Sequence, residues 1–452
     1  MVRRERPPAA ARARFAVVVL TAGAAAATAF LVLAPAPARL AARRAVLRVV
    51  GETAALALTI HDPYEPQPEA PPGGLPGPEY FAASRRDTGT CPTCPAGVAR
   101  VTGVGDVRHP VSPAFRFERW NDPGIVALRE SEPITALVAT ARPDYPSLLA
   151  ASEWVTHALR YGTARAAAYA THFDAREVLA RSRAGEAFDC GTFAWTLIQV
   201  LAALGINGRL VELEAEDGAS HTVAEAWCDD LAKWIVLDPF AGTTFEHEGR
   251  PLNALEIHRL WRSGRAREIR QRHAPGTESR LAALAGGEAG LVAYYAHFNV
   301  RMRNNVRSAH YPRWHPQANR LMSAFEWNGD GVGRALFRHR TDDSSRLYFP
   351  LKMTALRWDW AAPEAGRPRL VVHLATSAAN FDGFVTSRDR RRWERVPART
   401  EIAVVPGADT VWFAARNRAG RVGPESWIAT EWQGEPAGSE TAASAAPAGG
   451  GY

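Results

Sequence analysis

The sequence predicts an α+β protein in which a helix bearing a cysteine packs on an antiparallel sheet bearing a histidine and an aspartate. An all-β sandwich follows, and one N-terminal transmembrane helix precedes both. Three observations carry this. Cys190 opens a helix-periodic apolar run, His221 to Asp238 reads as strand, polar turn and strand, and Tyr348 to Trp432 breaks into short strands separated by Gly, Pro, Asn and Asp.

From the N-terminus, residues 1–14 carry Arg3, Arg4, Arg6, Arg12 and Arg14, and Phe15 to Ala34 then run 20 positions without a charge. That length can span a bilayer, and the basic flank keeps the N-terminus inside. The chain beyond this segment is therefore expected outside the cytoplasm, in the periplasm or at the cell surface. The segment reads as an uncleaved anchor, with a cleaved signal peptide as the alternative because Ala36-Pro37-Ala38 is a small-residue site. Residues 35–78 form a linker rich in proline, most clearly in PYEPQPEAPPGGLPGP. Residues 79–135 are short mixed segments, read as a small β-rich region. Within them Cys91 and Cys94 are close enough to join in a disulfide in an oxidising compartment. A zinc knuckle would need a second pair, and none exists.

A globular domain is expected over residues 136–275. Leu148, Ala151, Val155, Ala158 and Leu159 form a helical stripe, and Asp174 with Glu177 reads as a capping box for a short helix ending near Gly185. Next comes Phe188-Asp189-Cys190-Gly191, followed by Phe193, Leu197, Val200, Leu201 and Leu204 at helical spacing and a stop at Gly205. A thiol in a first helical turn feels the partial positive charge of unpaired N–H groups, which favours its thiolate. The competing reading is a small buried hydrophobe. His157 and His172 read as solvated or core histidines.

His221 to Asp238, HTVAEAWCDDLAKWIVLD, reads as a hairpin. A four-residue loop at Cys228–Leu231 pairs Trp227 with Ala232 and brings His221 directly opposite Asp238. Opposed side chains have Cβ atoms about 4.5 to 5.5 Å apart, which suits a carboxylate that orients an imidazole. Val223, Glu225 and Trp227 then share the histidine's face, and Cys228 lies on the other, as a structural residue. Asn253 and Glu256 repeat the capping pattern before a helix at the domain edge.

These pieces resemble the transglutaminase-like superfamily, whose fold is related to papain. The resemblance runs from about Leu148 to Phe240, and more loosely to Trp261. It rests on the cysteine helix ending in LGINGRLVEL, on His221 with Glu225 four residues later, and on KWIVLDPF. Val223 stands where many members have an aromatic residue. The resemblance implies that Cys190 is a nucleophile, His221 a general base and acid, and Asp238 the residue that fixes the imidazole tautomer. It implies attack on a glutamine carboxamide or peptide bond through a Cys190 thioester, resolved by water or an amine. The Cys190 N–H is expected to supply half of an oxyanion hole. No cofactor or metal is implied; the expected partners are a protein or peptide substrate and the membrane.

Residues 276–347, aromatic and rich in Arg and Asn, read as an irregular covering region. Residues 348–432 read as a β-sandwich similar to fibronectin type III or immunoglobulin modules, and 433–452 as a disordered tail. The arginines at 388, 390, 391, 392 and 395 read as a solvated loop, with an anionic envelope polysaccharide as the competing ligand. The formal net charge of +7 is spread along the chain without a nucleic-acid-binding motif, which excludes that function class. Two function classes remain: a membrane-anchored extracytoplasmic thiol enzyme, and a catalytically idle envelope scaffold. The presence of Cys190, His221 and Asp238 together favours the enzyme.

Overall fold

A computed structural model describes residues 88–94, 98–105, 115–137, 145–162, 173–283, 287–307, 324–329, 339–376 and 378–434. The chain enters through two strands, β1 (Gly89–Thr90) and β2 (Val98–Gly105), and then four helices, α1 (Pro123–Ser131), α2 (Tyr145–Ala158), α3 (Ala175–Arg183) and α4 (Cys190–Ala203). Four strands follow: β3 (Gly208–Glu214), β4 (Ser220–Cys228), β5 (Lys233–Asp238) and β6 (Thr243–His247). Helix α5 (Ala254–Arg262) leads to β7 (Arg270–His273), β8 (His297–Arg301), β9 (Ala324–Trp327) and β10 (His339–Thr341).

Strands β6-β5-β4-β3-β8-β9-β10 lie side by side in that order, with β7 and the two-residue strand Arg250–Pro251 also paired to β6. Both faces of this sheet are covered. Leu210, Ala224, Ala226, Cys228, Ile235 and Leu237 pack with helices α1 to α4, whereas Val211, Val223, Trp227, Trp234 and Val236 pack beneath later parts of the chain. That two-sided burial is why alternation is weak in β3 and β5.

Helix α4 is buried along nearly its whole length, as expected of a central helix that is apolar all round. It stops at Gly205, whose φ is +74°. The Ile206 N–H bonds the Leu201 carbonyl and the Gly205 N–H bonds that of Ala202, the pairing that closes helix ends at a left-handed glycine. Asp174 caps α3, although Glu177 turns to Arg181, 3.7 Å away, rather than completing a box. The Asn253–Glu256 box on α5 is complete.

The hairpin differs in register from the sequence expectation. Its loop is Asp229–Ala232, so that Trp227 pairs with Trp234 and Cys228 with Lys233. Ala232 takes the left-handed conformation at φ 47°. Asp229, the first loop residue, accepts bonds from Trp227 Nε1 at 2.8 Å and from the buried Lys352 Nζ at 2.8 Å, which hold the turn in this register.

Five longer strands and two short ones complete the chain: β11 (Thr354–Glu364), β12 (Arg367–Thr376), β13 (Phe381–Ser387), β14 (Glu394–Val396), β15 (Arg399–Ala403), β16 (Gly407–Asn417) and β17 (Ser426–Gln433). They form a three-stranded sheet, β11-β12-β15, facing a six-stranded one, β1-β2-β17-β16-β13-β14. Val101, Trp358, Val372, Phe413 and Ile428 from both sheets share one core, so the C-terminal region is a β-sandwich as expected. Strands β1 and β2, expected in a separate small region, instead extend its larger sheet through β17. Residues 276–347 likewise give β8, β9 and β10 to the central sheet rather than a loose cover.

The expected transmembrane segment 15–34 lies outside the described residues. Among the described residues no helix is long and apolar enough to cross a membrane.

Candidate active site

Cys190 is the first residue of α4, and the helix cap decides its surroundings. Asp189 accepts from the Thr192 N–H at 2.9 Å and from the Thr192 hydroxyl at 2.8 Å. The Phe193 N–H returns to the Asp189 carbonyl, which leaves the Cys190 N–H at the helix mouth with no intrahelical acceptor. The thiol is free and partly exposed.

His221 stands near the start of β4, opposite Leu213 of β3, and Asp238 ends β5. With the two-residue shift in register they are diagonal rather than direct neighbours, still on one face and within side-chain reach. His221 Nε2 lies 2.7 Å from Asp238 Oδ2, and both side chains are buried. The other carboxylate oxygen, Oδ1, accepts the N–H groups of Phe240 at 3.1 Å and Ala241 at 3.0 Å. Both carboxylate oxygens are thereby engaged, which fixes the orientation of the group.

Cys190 also acts on this imidazole, through its side chain and its charge. Burial opposes charging this imidazole, but the Asp238 carboxylate and Cys190 together outweigh it and push the histidine up to about 10. The structure thus brings together all three residues singled out in the sequence.

Residues 134–239 match the family model of the transglutaminase-like superfamily. This segment is a transglutaminase-like core. No curated protein matches the chain. The solved structure of red sea bream transglutaminase aligns at 12% identity and a TM-score of 0.22, over 69% of this chain and 51% of that one. The chain thus spans about half the length of that protein.

Around the transglutaminase-like core's three polar residues, aromatic rings form the walls. Phe240 lies 5.9 Å from the His221 ring, 5.4 Å from Phe193 and 4.6 Å from Tyr161, between centroids. Arg280, which sequence reasoning missed, donates to the Thr156 carbonyl at 2.9 Å and sits over the Tyr161 and Phe193 rings at 5.7 Å each. Its guanidinium braces the elements on either side of the Phe240 turn. Nothing local marks it, because its partners are spread along the chain, the Thr156 carbonyl more than a hundred residues upstream.

Glu225, the acid after the histidine, takes no part in the cluster. Its Oε2 accepts from Arg209 at 2.9 and 2.6 Å, and its Oε1 accepts from the Ala254 N–H and the Tyr348 hydroxyl. It is a fully satisfied core node. Cys228 is buried under the helices on the opposite face, and burial pushes its thiol up to about 11. His157 is exposed beside Glu153 at 3.9 Å, and His172 lies outside the described residues. Cys91 and Cys94 form a disulfide. In the 388–395 loop, Arg388 pairs with Asp409, Arg390 with Glu425 and Arg395 with Asp382, which neutralises much of that basic patch. Among the described residues no group of three or more His, Cys, Asp or Glu side chains is arranged to hold a metal ion.

Proposed function

We propose that this protein is a membrane-anchored, extracytoplasmic thiol enzyme that cleaves or transfers an amide through a Cys190 thioester. The observation that carries the reading is the 2.7 Å bond between His221 Nε2 and Asp238 Oδ2, on an imidazole that Cys190 also acts on. The Cys190 thiolate attacks a glutamine carboxamide or peptide carbonyl, and the π pair moves onto oxygen. As the intermediate collapses, the C–N bond breaks and His221 Nδ1–H protonates the departing nitrogen. The neutral ring then takes a proton from water or an incoming amine, which attacks the thioester and restores the thiolate. Asp238 holds the ring in the tautomer this requires. The Cys91–Cys94 disulfide supports the extracytoplasmic placement, since such bonds persist in oxidising compartments.

The test is substrate turnover by the fragment lacking residues before Leu40, screened on glutamine-containing peptides with and without a primary amine. Release of ammonia or a new peptide end that disappears in Cys190→Ala, with thermal unfolding unchanged, is the expected result. Turnover that survives Cys190→Ala overturns the assignment.

A further inference from the structure

Tyr294 comes to the His221 ring from well beyond the family-matched segment. Helix 287–293 ends in a single tight turn, Tyr294–Ala296, which leads straight into β8. The Tyr294 ring is 5.2 Å from the His221 ring, centroid to centroid, and is 9% exposed. Its neighbour Tyr295 points into the core against Phe245 at 5.5 Å, and this anchors the turn. After burial, the charges that act most on the Tyr294 phenol are those of Cys190, Asp217 and Asp238, in that order. Burial and these anions raise the phenol above its usual range, so it stays protonated as a donor. Among the described residues the hydroxyl makes no hydrogen bond.

We propose that Tyr294 is a catalytic residue whose O–H donates to the oxygen of the tetrahedral intermediate, pairing with the Cys190 N–H as the second donor of an oxyanion site. A buried phenol that has no hydrogen bond among the described residues gains an acceptor when negative charge develops on the carbonyl oxygen. The proposal rests on Cys190 being the nucleophile.

Two probes of the same thiol separate this role from a structural one. Iodoacetamide is displaced at a saturated carbon, with iodide leaving and no oxyanion formed. With p-nitrophenyl acetate the thiolate adds to the carbonyl, an oxyanion forms, and p-nitrophenolate leaves as the Cys190 acetyl thioester is made. In Tyr294→Phe, which keeps the ring against His221, alkylation should proceed at the wild-type rate while the p-nitrophenolate burst slows about 100-fold, the usual cost of one oxyanion donor. Equal losses with both probes would mean that Tyr294 only shapes the imidazole, and would overturn the proposal. An unchanged burst would overturn it as well. A wild-type protein whose Cys190 reacts with neither probe sinks the nucleophile assignment itself, and the Tyr294 role with it.

Discussion

The Asn417 side chain donates to the Gly205 carbonyl at 2.9 Å, and so the sandwich holds the far end of the helix that begins at Cys190. Arg421 adds a bond to the Leu204 carbonyl at 2.5 Å. A cation at a helix C-terminus meets both the unpaired carbonyls and the negative end of the dipole. Gly205 is in turn pressed by Ala419: a Cβ at 205 would stand 2.2 Å from that of Ala419, at a φ of +74°. Gly205→Ala is therefore expected to destabilise the protein by more than about 1 kcal/mol, since alanine is strained at positive φ even where space exists. Arg421→Ala should cost about 1 to 3 kcal/mol, typical of a hydrogen bond to a charged group. Urea midpoints of the two variants check both figures; wild-type midpoints would mean that the sandwich merely rests on the helix.

Asp238→Asn should leave the fold intact and reduce turnover by about 10⁴-fold, the scale found when a triad loses its orienting acid. The reason is local. The N–H groups of Phe240 and Ala241 both point at Oδ1, so an asparagine must keep its carbonyl there and turn its NH₂ toward His221 Nε2. Two donors then face each other unless the ring adopts the tautomer that puts its proton on Nδ1, where it cannot act as a base toward the Cys190 thiol. Steady-state kcat, with circular dichroism as the folding control, decides this; retention of more than a tenth of wild-type kcat would mean that the ring is oriented by something else.

Much of this site was legible because its pieces are local. A cysteine followed by apolar residues at helical spacing, and two β-patterned runs around Asp229-Asp230, need no tertiary information. The register needed some. The sequence pairs His221 directly with Asp238, whereas the structure slides the hairpin by two residues, with the distant Lys352 bonded to Asp229 at the turn. A slide of two keeps every side chain on its face, whereas a slide of one would have separated the pair. The parts that were not legible are non-local. Val98–Gly105 joins the last strand of the sandwich from more than three hundred residues away. His297–Arg301 is only five residues long and is paired on both sides, too short for its alternation to stand out. Tyr294 and Arg280 reach the site from a stretch with little periodicity of its own.

His221 makes stability depend on pH in a defined direction. Its folded value, about 10, lies above the unfolded value of about 6.5. The stabilisation is thus fully present below about 6.5 and is lost as pH rises toward and through 10. Urea unfolding of wild type and His221→Gln at several pH values should show the wild-type advantage shrinking over that window. A gap that is flat with pH, or that widens, would mean that the ring is neutral in the folded protein. At pH 7 the same variant should also label more slowly with iodoacetamide at Cys190, because a cationic ring beside a thiol favours the reactive thiolate and that ring is gone.

Glu225 stands four residues after His221, and its substitution should be read as a folding defect rather than a catalytic one. Arg209 and Glu225 are both fully buried, and the guanidinium also lies 4.0 Å over the Trp234 ring and donates to the Leu347 carbonyl. Removing one partner of such a pair strands the other charge in the core, at a cost of about 3 to 5 kcal/mol. Glu225→Ala frees Arg209 in this way and also leaves the Ala254 N–H and the Tyr348 hydroxyl without their acceptor. The expected outcome is a large fall in the urea midpoint and in soluble yield, while the fraction that remains folded still labels at Cys190 at the wild-type rate. A stable Glu225→Ala protein with an unreactive Cys190 would instead place Glu225 in the chemistry.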